Sequence, residues 1–310
     1  MDYLKIESDD NSVTLKGVKN FDIKQTLECG QCFRWEKVAD NIYVGVAFGR
    51  VLEIEQVGND VILHNTNEDE FYKIWLKYFN LDTDYTEIKE KLSQDATLSK
   101  AIEYGSGIRV LNQEPFELVI SFIISARNSV PMISKTVNEI SRRWGKKIEY
   151  KGKDYYEFPK KEVLASITEI EMKDAGGSFR SRYIIDTSDK ITNCEFIKEG
   201  LLSVEDNNAF LAKYDLETIR ALDADECHKA LQNYSGIGAK VADCIMLFSM
   251  EKTSGFPVDR WVKRAMMHFY GAGDLSLPKI RVFARERFGE FAGAAQQYLF
   301  YYAKEKGILL

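Results

Sequence analysis

The periodicity of apolar residues changes near residue 100 of this 310-residue chain, and this change restricts the fold more than any other feature. The first part carries short runs of alternating apolar and polar residues separated by glycine-containing turns, the pattern of an antiparallel sheet. These runs are Ile42 to Val46, Val51 to Ile54 and Val61 to His64. In the second part, apolar residues recur at helical spacing. We therefore expect an α+β protein with an N-terminal antiparallel β-sheet domain over residues 1–104 and an all-α body over residues 105–310.

Helical spacing also predicts where the individual helices lie. A helix around Asp82 to Leu92 marks the junction between the two parts. Further helices are predicted at Glu117 to Ala126, Ile133 to Trp144, Lys161 to Ile167, Arg182 to Asn193, Leu216 to Ala221, Ala224 to Tyr234, Ala239 to Met250, Asp259 to Tyr270 and Gly289 to Tyr302. The second part of the chain is therefore expected to be helical throughout.

The charge of the chain gives two opposite indications about its partners. Its 48 acidic and 42 basic residues give a net charge of −6, which on its own argues against a nucleic-acid partner. The distribution favours such a partner, because acidic stretches lie in the N-terminal third while basic residues recur along the helical body. These basic residues are Arg180, Arg182, Arg260, Lys263, Arg264, Lys279, Arg281, Arg285 and Arg287.

Cysteine usage and the apolar stretches indicate the compartment. Five cysteines at irregular spacing suit a reducing compartment better than a disulfide framework. Cys29 and Cys32 form a CxxC pair, but no second pair follows and the three histidines are scattered, so we expect no metal site. The most apolar stretch, Leu118 to Ile124, is far shorter than the roughly 20 residues that cross a bilayer, so we expect no membrane association. The N-terminus carries no apolar signal segment, which favours the cytoplasm.

The segment from Ala224 to Asp259 is the most informative for function. Two glycines, Gly236 and Gly238, flank one apolar residue between two predicted helices, and such a turn can direct backbone N–H groups at a phosphate. An ordinary helix–helix turn is the better explanation for an isolated Gly-x-Gly. Lys240 then lies in the first turn of the second helix, where the helix dipole disfavours an ammonium ion. It is either a solvated surface lysine or a nucleophile that reacts as the neutral amine.

Two further residues lie close to Lys240 in this pattern. Cys244 follows at i+4, so its side chain and that of Lys240 lie on the same helical face. Asp259 follows Pro257-Val258 at the start of the next helix, where N-capping alone explains an aspartate. Beside a nucleophilic lysine, the same carboxylate could stabilise a developing cation.

Together these residues resemble the helix-hairpin-helix DNA glycosylases, and most of all their 8-oxoguanine DNA glycosylase/AP lyases. Ser235 to Cys244 and Pro257 to Asp259 resemble the hairpin and the Gly/Pro-rich loop with its aspartate. Gly30 to Trp35 resembles the GQxFRW motif of that family, and Gly176 to Tyr183 resembles its G-x-G-[YF]-R-x-R-Y loop with Ser178 replacing the second glycine. The resemblance implies a two-lobed helical body with the hairpin at residues 224–251.

The resemblance implies a lysine Schiff-base mechanism. Lys240 would attack C1′ of the damaged nucleotide, expel the base and form a Schiff base that leads to strand cleavage by β-elimination. Asp259 would stabilise the positive charge that builds on the sugar. The nucleotide must leave the base stack and enter a pocket. For this pocket the resemblance implies Cys244 and Phe300 on the two faces of the base, the Gln296 amide on its edge, and the Gly30 carbonyl accepting the N7 hydrogen that distinguishes 8-oxoguanine from guanine.

The resemblance also implies the DNA contacts. Gly236, Gly238 and Val241 would bind the backbone, Phe179 would be the wedge, and Arg180 would contact the orphaned base together with Asn128. The chain departs from the family pattern S-x-N-N-x-[IV]-x-R, because Arg127 replaces the first asparagine and Met132 replaces the arginine. Methionine cannot donate a hydrogen bond to a base. We therefore expect a relaxed preference for the opposite base.

The resemblance also implies partners and cofactors. We expect a monomer whose partner is double-stranded DNA containing 8-oxoguanine, associated with the DNA of a prokaryotic nucleoid. No cofactor is required, although backbone carbonyls of the hairpin could hold a structural monovalent or divalent cation. Two alternatives stay open: a helix-hairpin-helix glycosylase for another damaged base, and a non-catalytic helix-hairpin-helix DNA-binding protein. Alkylbase-removing relatives lack the hairpin lysine, and iron–sulfur relatives carry cysteines that this chain lacks after Cys244.

Overall fold

The computed structural model describes residues 1–273 and 275–307. Its N-terminal part contains a six-stranded sheet with the order β1-β2-β6-β5-β4-β3. The strands are β1 (Lys5–Ser8), β2 (Ser12–Lys16), β3 (Trp35–Ala39), β4 (Ile42–Ala47), β5 (Arg50–Val57) and β6 (Asp60–His64). The pairs β1/β2, β2/β6, β5/β6 and β3/β4 are antiparallel. In β6 the alternation that predicted the strand has a simple cause, since Val61 and Leu63 are buried while their neighbours are partly exposed.

Short helices accompany this sheet. They are α1 (Ile23–Glu28), α2 (Glu68–Glu70), α3 (Leu76–Tyr78), α4 (Tyr85–Leu92) and α5 (Ala96–Tyr104), with a π-helical turn at Phe71–Trp75 between α2 and α3. The predicted helix at the junction is α4. It begins after Asp84, whose carboxylate accepts hydrogen bonds from the N–H groups of Thr86 and Glu87.

The middle of the chain is mainly helical, as predicted. It contains α6 (Pro115–Ser125), α7 (Val130–Trp144), α8 (Lys161–Ser166), α9 (Glu169–Met172), α10 (Ser181–Lys198), α11 (Asn207–Tyr214), α12 (Leu216–Ala221), α13 (Ala224–Leu231) and α14 (Ala239–Ser249). A π-helical segment (Lys173–Gly177) and a 3-10 turn (Ser178–Arg180) lead into α10. Helix α13 ends three residues before the predicted end, because residues 232–234 belong to the turn that follows.

The expectation of helices throughout the second part is wrong at one place. A two-stranded antiparallel ribbon, β7 (Lys147–Tyr150) and β8 (Lys153–Tyr156), follows α7. Its turn consists of Lys151 and Gly152, which both have positive φ angles, 50° and 73°. This is the backbone of a tight hairpin turn. Strands of four residues are too short to contrast with helical spacing, so the sequence pattern did not separate them.

The C-terminal segment adds three helices to the described residues. They are α15 (Arg260–Tyr270), α16 (Leu277–Phe288) and α17 (Ala292–Glu305), with a 3-10 turn at Gly289–Phe291. The predicted helix at residues 259–270 corresponds to α15, and the one at residues 289–302 corresponds to this turn and α17. Helix α16 was not predicted, because a proline in its first turn and four basic residues obscure its apolar spacing.

The chain divides into two compact units. The first comprises Met1–Gly45, Leu52–Asn112 and the segment from Lys252 onwards, and the second comprises Val46–Val51 and Gln113–Glu251. In the first unit, Arg109 is fully buried and binds the carboxylate of Asp2 at 2.7 Å. The predicted boundary between residues 104 and 105 separates a sheet domain from a helical body. This division differs in kind from the two compact units, and it stays a prediction. No helix of the described residues is long and apolar enough to span a bilayer.

Candidate nucleic-acid interface and active site

The turn between α13 and α14 requires glycine at one position and tolerates other residues at the second. Gly236 has a φ of +85°, and a Cβ there would lie 2.8 Å from the ring of Tyr183. Gly238 is the N-cap of α14 in extended backbone, and a Cβ there would meet no described atom within 4 Å. The first intrahelical bond runs from the Ala242 N–H to the Gly238 carbonyl, so the amides at the start of α14 precede the helical ladder. Val241 has a buried side chain, and only its backbone can contact a ligand here.

His228 joins the two helices of the hairpin, and sequence reasoning did not identify it. Its Nε2 lies 3.1 Å from the Ala239 carbonyl oxygen, and the Gln232 side-chain amide lies 3.2 Å from its Nδ1. A carbonyl oxygen only accepts, so Nε2 carries a hydrogen in its bond to Ala239. The buried carboxylate of Asp243 lies 3.7 Å from the same Nε2. The imidazole therefore lies against Ala239 and Asp243, on either side of Lys240 in the sequence of α14.

Lys240 is half-buried, in the first turn of α14. Its Nζ lies 5.5 Å from the centroid of the Phe122 ring, within the range of a cation–π contact. Phe122 is 2% exposed and stacks on Phe248 with the ring centroids 5.8 Å apart. Cys244, at i+4 from Lys240, is buried one turn further along the same helix. The lysine is thus a side chain on a rigid apolar support and differs from a fully solvated surface lysine.

Asp259 is the N-cap of α15, as the capping interpretation predicted. Its Oδ1 accepts hydrogen bonds of 2.8 Å from the N–H groups of Trp261 and Val262. Both bonds use the same oxygen, and the residue is half-buried. The cap fixes the carboxylate through Oδ1, so a second interaction of Asp259 can use Oδ2.

The residues predicted to contact the opposite base come together in the second unit. Asn128, Met132 and Arg180 line one cavity of about 730 Å³. Lys135 and Arg142 line the same cavity along α7, and the sequence reasoning did not identify them. The Asn128 side-chain amide donates to the Ile124 carbonyl at 3.2 Å, which ties it to the end of α6.

Arg180 is anchored on the loop after α6 and supports Phe179. Its Nε donates to the Ala126 carbonyl at 2.8 Å, and its Nη2 donates to the carbonyls of Ala126 and Arg127. Burial lowers the pKa of the Arg180 guanidinium from its usual value. The guanidinium carbon lies 4.3 Å from the centroid of the Phe179 ring, which is 48% exposed. Ser178, which replaces a family glycine, has a φ of +57°, a conformation that glycine adopts more readily.

The other predicted site residues lie in the first unit. Gly30 has a φ of +91°, so its backbone conformation accounts for the glycine whatever its carbonyl binds. Gln296 is buried in α17, and Phe300 is half-buried one turn later, against a core that includes Ala265 and Ala303. The neighbouring Gln297 was not identified from the sequence, and its side-chain Nε2 donates to Gln296 Oε1 at 2.6 Å.

The structure therefore groups the predicted residues by compact unit. The second unit holds Lys240, Cys244, the hairpin glycines, Val241 and the residues of the 730 Å³ cavity. The first unit holds Gly30, Asp259, Gln296 and Phe300.

The CxxC pair is buried in the first unit. Burial raises the pKa of the Cys29 thiol to about 12, so it stays protonated and unreactive. Cys29 and Cys32 are both buried and do not form a disulfide. In the described ranges, no group of three or more histidine, cysteine, aspartate or glutamate side chains could hold a metal ion.

Comparison with known proteins identifies the class of protein. A family model described as 8-oxoguanine DNA glycosylase, N-terminal domain, matches residues 13–119, and the model of HhH-GPD superfamily base excision DNA repair proteins matches residues 120–288. The chain belongs to the HhH-GPD superfamily. The resemblance drawn from the sequence motifs is thereby confirmed.

Individual relatives narrow this class. A solved structure of the Clostridium acetobutylicum 8-oxoguanine glycosylase/lyase, in complex with double-stranded DNA containing cytosine opposite 8-oxoguanine, is 48% identical with a TM-score of 0.89, and the match covers 99% of this chain and 100% of that one. A probable N-glycosylase/DNA lyase of Methanothermobacter thermautotrophicus is 29% identical over 94% of this chain and 96% of its own length. The N-glycosylase/DNA lyase of Saccharomyces cerevisiae is 27% identical over 92% and 83%.

Proposed function

We propose that this protein excises 8-oxoguanine from duplex DNA and then cleaves the strand through a Schiff base on Lys240. The observation that carries the proposal is the position of Lys240, half-buried in the first turn of the hairpin helix with its ammonium group over the Phe122 ring. Capping or solubility requires no lysine there, since the helix dipole disfavours it. A nucleophile that acts next to a bound phosphodiester backbone would explain a lysine in this turn.

The chemistry follows from the lone pair of the neutral amine. Nζ of Lys240 attacks C1′ while the bond from C1′ to N9 breaks, and the departing base keeps the bonding electrons and takes up a proton. Loss of a proton from nitrogen and opening of the sugar ring give the imine. Removal of a C2′ proton then expels the 3′ phosphate by β-elimination. Asp259 uses Oδ1 for its cap, so Oδ2 is the oxygen proposed to face the positive charge on the sugar.

The base pocket is proposed to combine Gly30, Cys244, Gln296 and Phe300. The Gly30 carbonyl would accept the N7 hydrogen of 8-oxoguanine, and discrimination against guanine would rest on this donor. Gln296 would read the opposite edge of the base, and the thiol and the ring would enclose its two faces. The nucleotide must leave the base stack to enter the pocket, which costs roughly a few kcal/mol. The contacts in the pocket are proposed to offset this cost.

DNA is proposed to bind mainly through backbone groups. The N–H groups at Gly236, Gly238 and Val241 would contact phosphates at the start of α14, with Phe179 as the wedge and Arg180 at the orphaned base. Few formal charges are then needed, which agrees with a net charge of −6. We expect a shallow dependence of affinity on salt, and a slope equivalent to about eight or more released counterions would contradict this.

Preference for cytosine opposite the lesion is expected to be relaxed. Met132 offers no hydrogen bond to a base, and it is 49% exposed in the cavity that also holds Asn128 and Arg180. Phe179 lacks a hydroxyl group that could contact a base. Single-turnover excision of 8-oxoguanine opposite each of the four bases measures this directly. Excision confined to pairs with cytosine would contradict the expectation.

The remaining parts of the proposal concern state and location. We propose a monomer that acts on the DNA of a prokaryotic nucleoid without a required cofactor, and carbonyls of the hairpin turn as the site of any structural cation. Sedimentation in the presence and absence of K⁺ or Mg²⁺ tests the oligomeric state, and chelation tests the cation. A tenfold loss of DNA affinity on chelation alone would support a bound divalent cation.

Borohydride trapping tests the central claim. Wild-type protein incubated with an 8-oxoguanine duplex and borohydride should form a covalent adduct with the DNA, and Lys240→Gln should form none. Lys229→Gln changes an exposed lysine on α13 of the same hairpin and serves as the matched control. Trapping that survives in Lys240→Gln would overturn the nucleophile assignment.

The same experiment separates the alternatives. A glycosylase for another lesion would give an adduct with a duplex carrying that base and none with 8-oxoguanine. A non-catalytic hairpin protein would bind every duplex equally and give no adduct with any of them, so Lys240→Gln would change binding alone.

A further inference from the structure

We propose that Gln297 is a positioning residue that fixes the direction of the Gln296 amide, so that this amide matches the edge of a guanine-type base and rejects an adenine-type edge. The inference rests on the proposed function, because it assumes that Gln296 reads the base. It adds a source of specificity that is independent of the Gly30 carbonyl.

The two side chains are adjacent in α17, and each is 5% exposed. Gln297 Nε2 donates to Gln296 Oε1 at 2.6 Å. Among the described residues, Gln297 Oε1 is a buried atom with no hydrogen-bond partner. A buried carbonyl without a partner is destabilising, so the arrangement of this pair calls for an explanation.

The bond couples the directions of the two amides. Each amide has an NH2 group that only donates and an oxygen that only accepts. Turning Gln296 alone would bring two NH2 groups together, so Gln297 would have to turn as well. That second arrangement would put the Gln297 NH2 where its oxygen now lacks a partner. Orphaned buried N–H groups are rarer than under-satisfied carbonyls, and the observed direction is therefore the favoured one.

This direction determines which base edge Gln296 can bind. The bond from Gln297 uses one lone pair of Gln296 Oε1, which leaves its second lone pair and the NH2 group for a ligand. A purine with an oxygen at C6 and a hydrogen on N1 complements this set with two parallel hydrogen bonds. An adenine-type edge has an amino group at C6 and a bare N1, so it opposes donor to donor and acceptor to acceptor. Unpaired buried polar groups of this kind give strong discrimination.

The test compares two lesions that differ at C6 and N1 and in the 2-amino group, which only 8-oxoguanine carries. 8-Oxoguanine and 8-oxoadenine both carry the C8 oxygen and the N7 hydrogen, so the proposed Gly30 contact is common to them. We expect wild-type protein to excise 8-oxoguanine faster in single-turnover reactions with matched duplexes. Gln297→Met has nearly the same length but donates no hydrogen bond, and it should lower the ratio of the two excision rates about tenfold, the effect of one lost hydrogen bond.

A second variant makes the test independent of folding. Gln297→Glu offers only acceptors when ionised, so it should turn the Gln296 NH2 towards itself and lower the ratio at least as far as Gln297→Met does. Gln94→Met, on an exposed side chain of the same unit, is the control for the substitution itself. Thermal melting of all three variants reports any loss of folding, which would slow both substrates together and leave the ratio unchanged.

The possible outcomes separate this inference from the proposed function. Wild-type protein that fails to excise 8-oxoguanine would overturn the proposed function. Wild-type protein that excises it, combined with an unchanged ratio in both folded Gln297 variants, would overturn the positioning role alone. A lower ratio in variants that keep the wild-type melting temperature supports the role, since a merely structural residue would slow both substrates together.

Discussion

Phe122 supports the ammonium group of Lys240, and its removal gives a measurable change in the pH dependence of the reaction. The Nζ of Lys240 lies 5.5 Å from the ring centroid, and the ring is 2% exposed. A cation–π contact is worth about 0.5 to 1 kcal/mol at exposed sites and about 2 kcal/mol when desolvated, so we take about 1 kcal/mol for a half-buried lysine. The ring attracts the protonated amine and has no such attraction for the neutral amine.

The sign and the size of the effect follow from this difference. In Phe122→Leu the protonated amine loses about 1 kcal/mol of cation–π stabilisation. Since 1.36 kcal/mol corresponds to one pH unit, the acidic limb of the pH–rate profile should move to lower pH by about 0.7 units. The reactive neutral amine is then present at lower pH. The assay is single-turnover base excision on one 8-oxoguanine duplex between about pH 5 and pH 9.

Phe248→Leu is the matched control for this prediction. It removes the stacking partner of Phe122 and opens a similar space in the same core, yet Phe248 is not the ring that lies over Lys240. Both variants should lose about 1 to 3 kcal/mol of stability from the deleted volume. The reasoning is refuted if the limb of Phe122→Leu stays in place, moves to higher pH, or moves no further than that of Phe248→Leu.

Three further predictions concern the hairpin turn and the first unit. Gly236→Ala should destabilise the fold by about 1 to 3 kcal/mol, because residue 236 has a positive φ. Gly238→Asp should keep the melting temperature of the wild type and weaken DNA binding. Equal DNA affinity of Gly238→Asp and wild type would count against a phosphate at the start of α14. Arg109→Met leaves the Asp2 carboxylate buried without its cation and should lower the free energy of unfolding in urea by about 3 to 5 kcal/mol, and a loss under about 1 kcal/mol would be inconsistent with this. Burial lowers the pKa of Lys89 to about 8. Above that pH the unfolded chain therefore binds more protons than the folded protein, and the contribution of Lys89 to stability rises with pH up to the usual lysine pKa. The melting temperatures of wild type and Lys89→Met should diverge between about pH 8 and pH 10, and parallel pH dependences would reject this prediction.

The elements that could be predicted are those whose periodicity reflects burial over several turns or strand residues. Strand β6 alternates because one face meets the core, and α7 and α10 bury residues at helical spacing for the same reason. The ends of helices were predicted less well. Helix α13 stops early since the turn before Gly236 needs three more residues than the apolar pattern indicates.

The parts that could not be predicted depend on contacts between distant segments. Lys240 was identified from its position in the hairpin, but Phe122 comes from α6 and only the fold brings its ring to the amine. His228 has no motif of its own, because its role depends on the Ala239 carbonyl. Gln297 lies beside a residue that the family motif includes, yet its importance follows from a single hydrogen bond and an unpaired oxygen. Local patterns report which face is buried and do not report which buried groups meet.

Helix capping explains how a chain with a net charge of −6 can bind a polyanion. The helices that precede and follow α14 in the sequence, α11 to α13 and α15, each have an N-cap aspartate whose side chain accepts N–H groups of the first turn. These caps are Asp206 on α11, Asp215 on α12, Asp223 on α13 and Asp259 on α15. Helix α14 begins at Gly238, with no side-chain cap and no acidic residue in its first turn among the described residues. A phosphate oxygen there would accept the same N–H groups that an aspartate accepts elsewhere, and the helix dipole would attract it without a formal positive charge. Acidic residues thus stabilise the neighbouring helices and are absent from the helix end that the DNA is proposed to occupy.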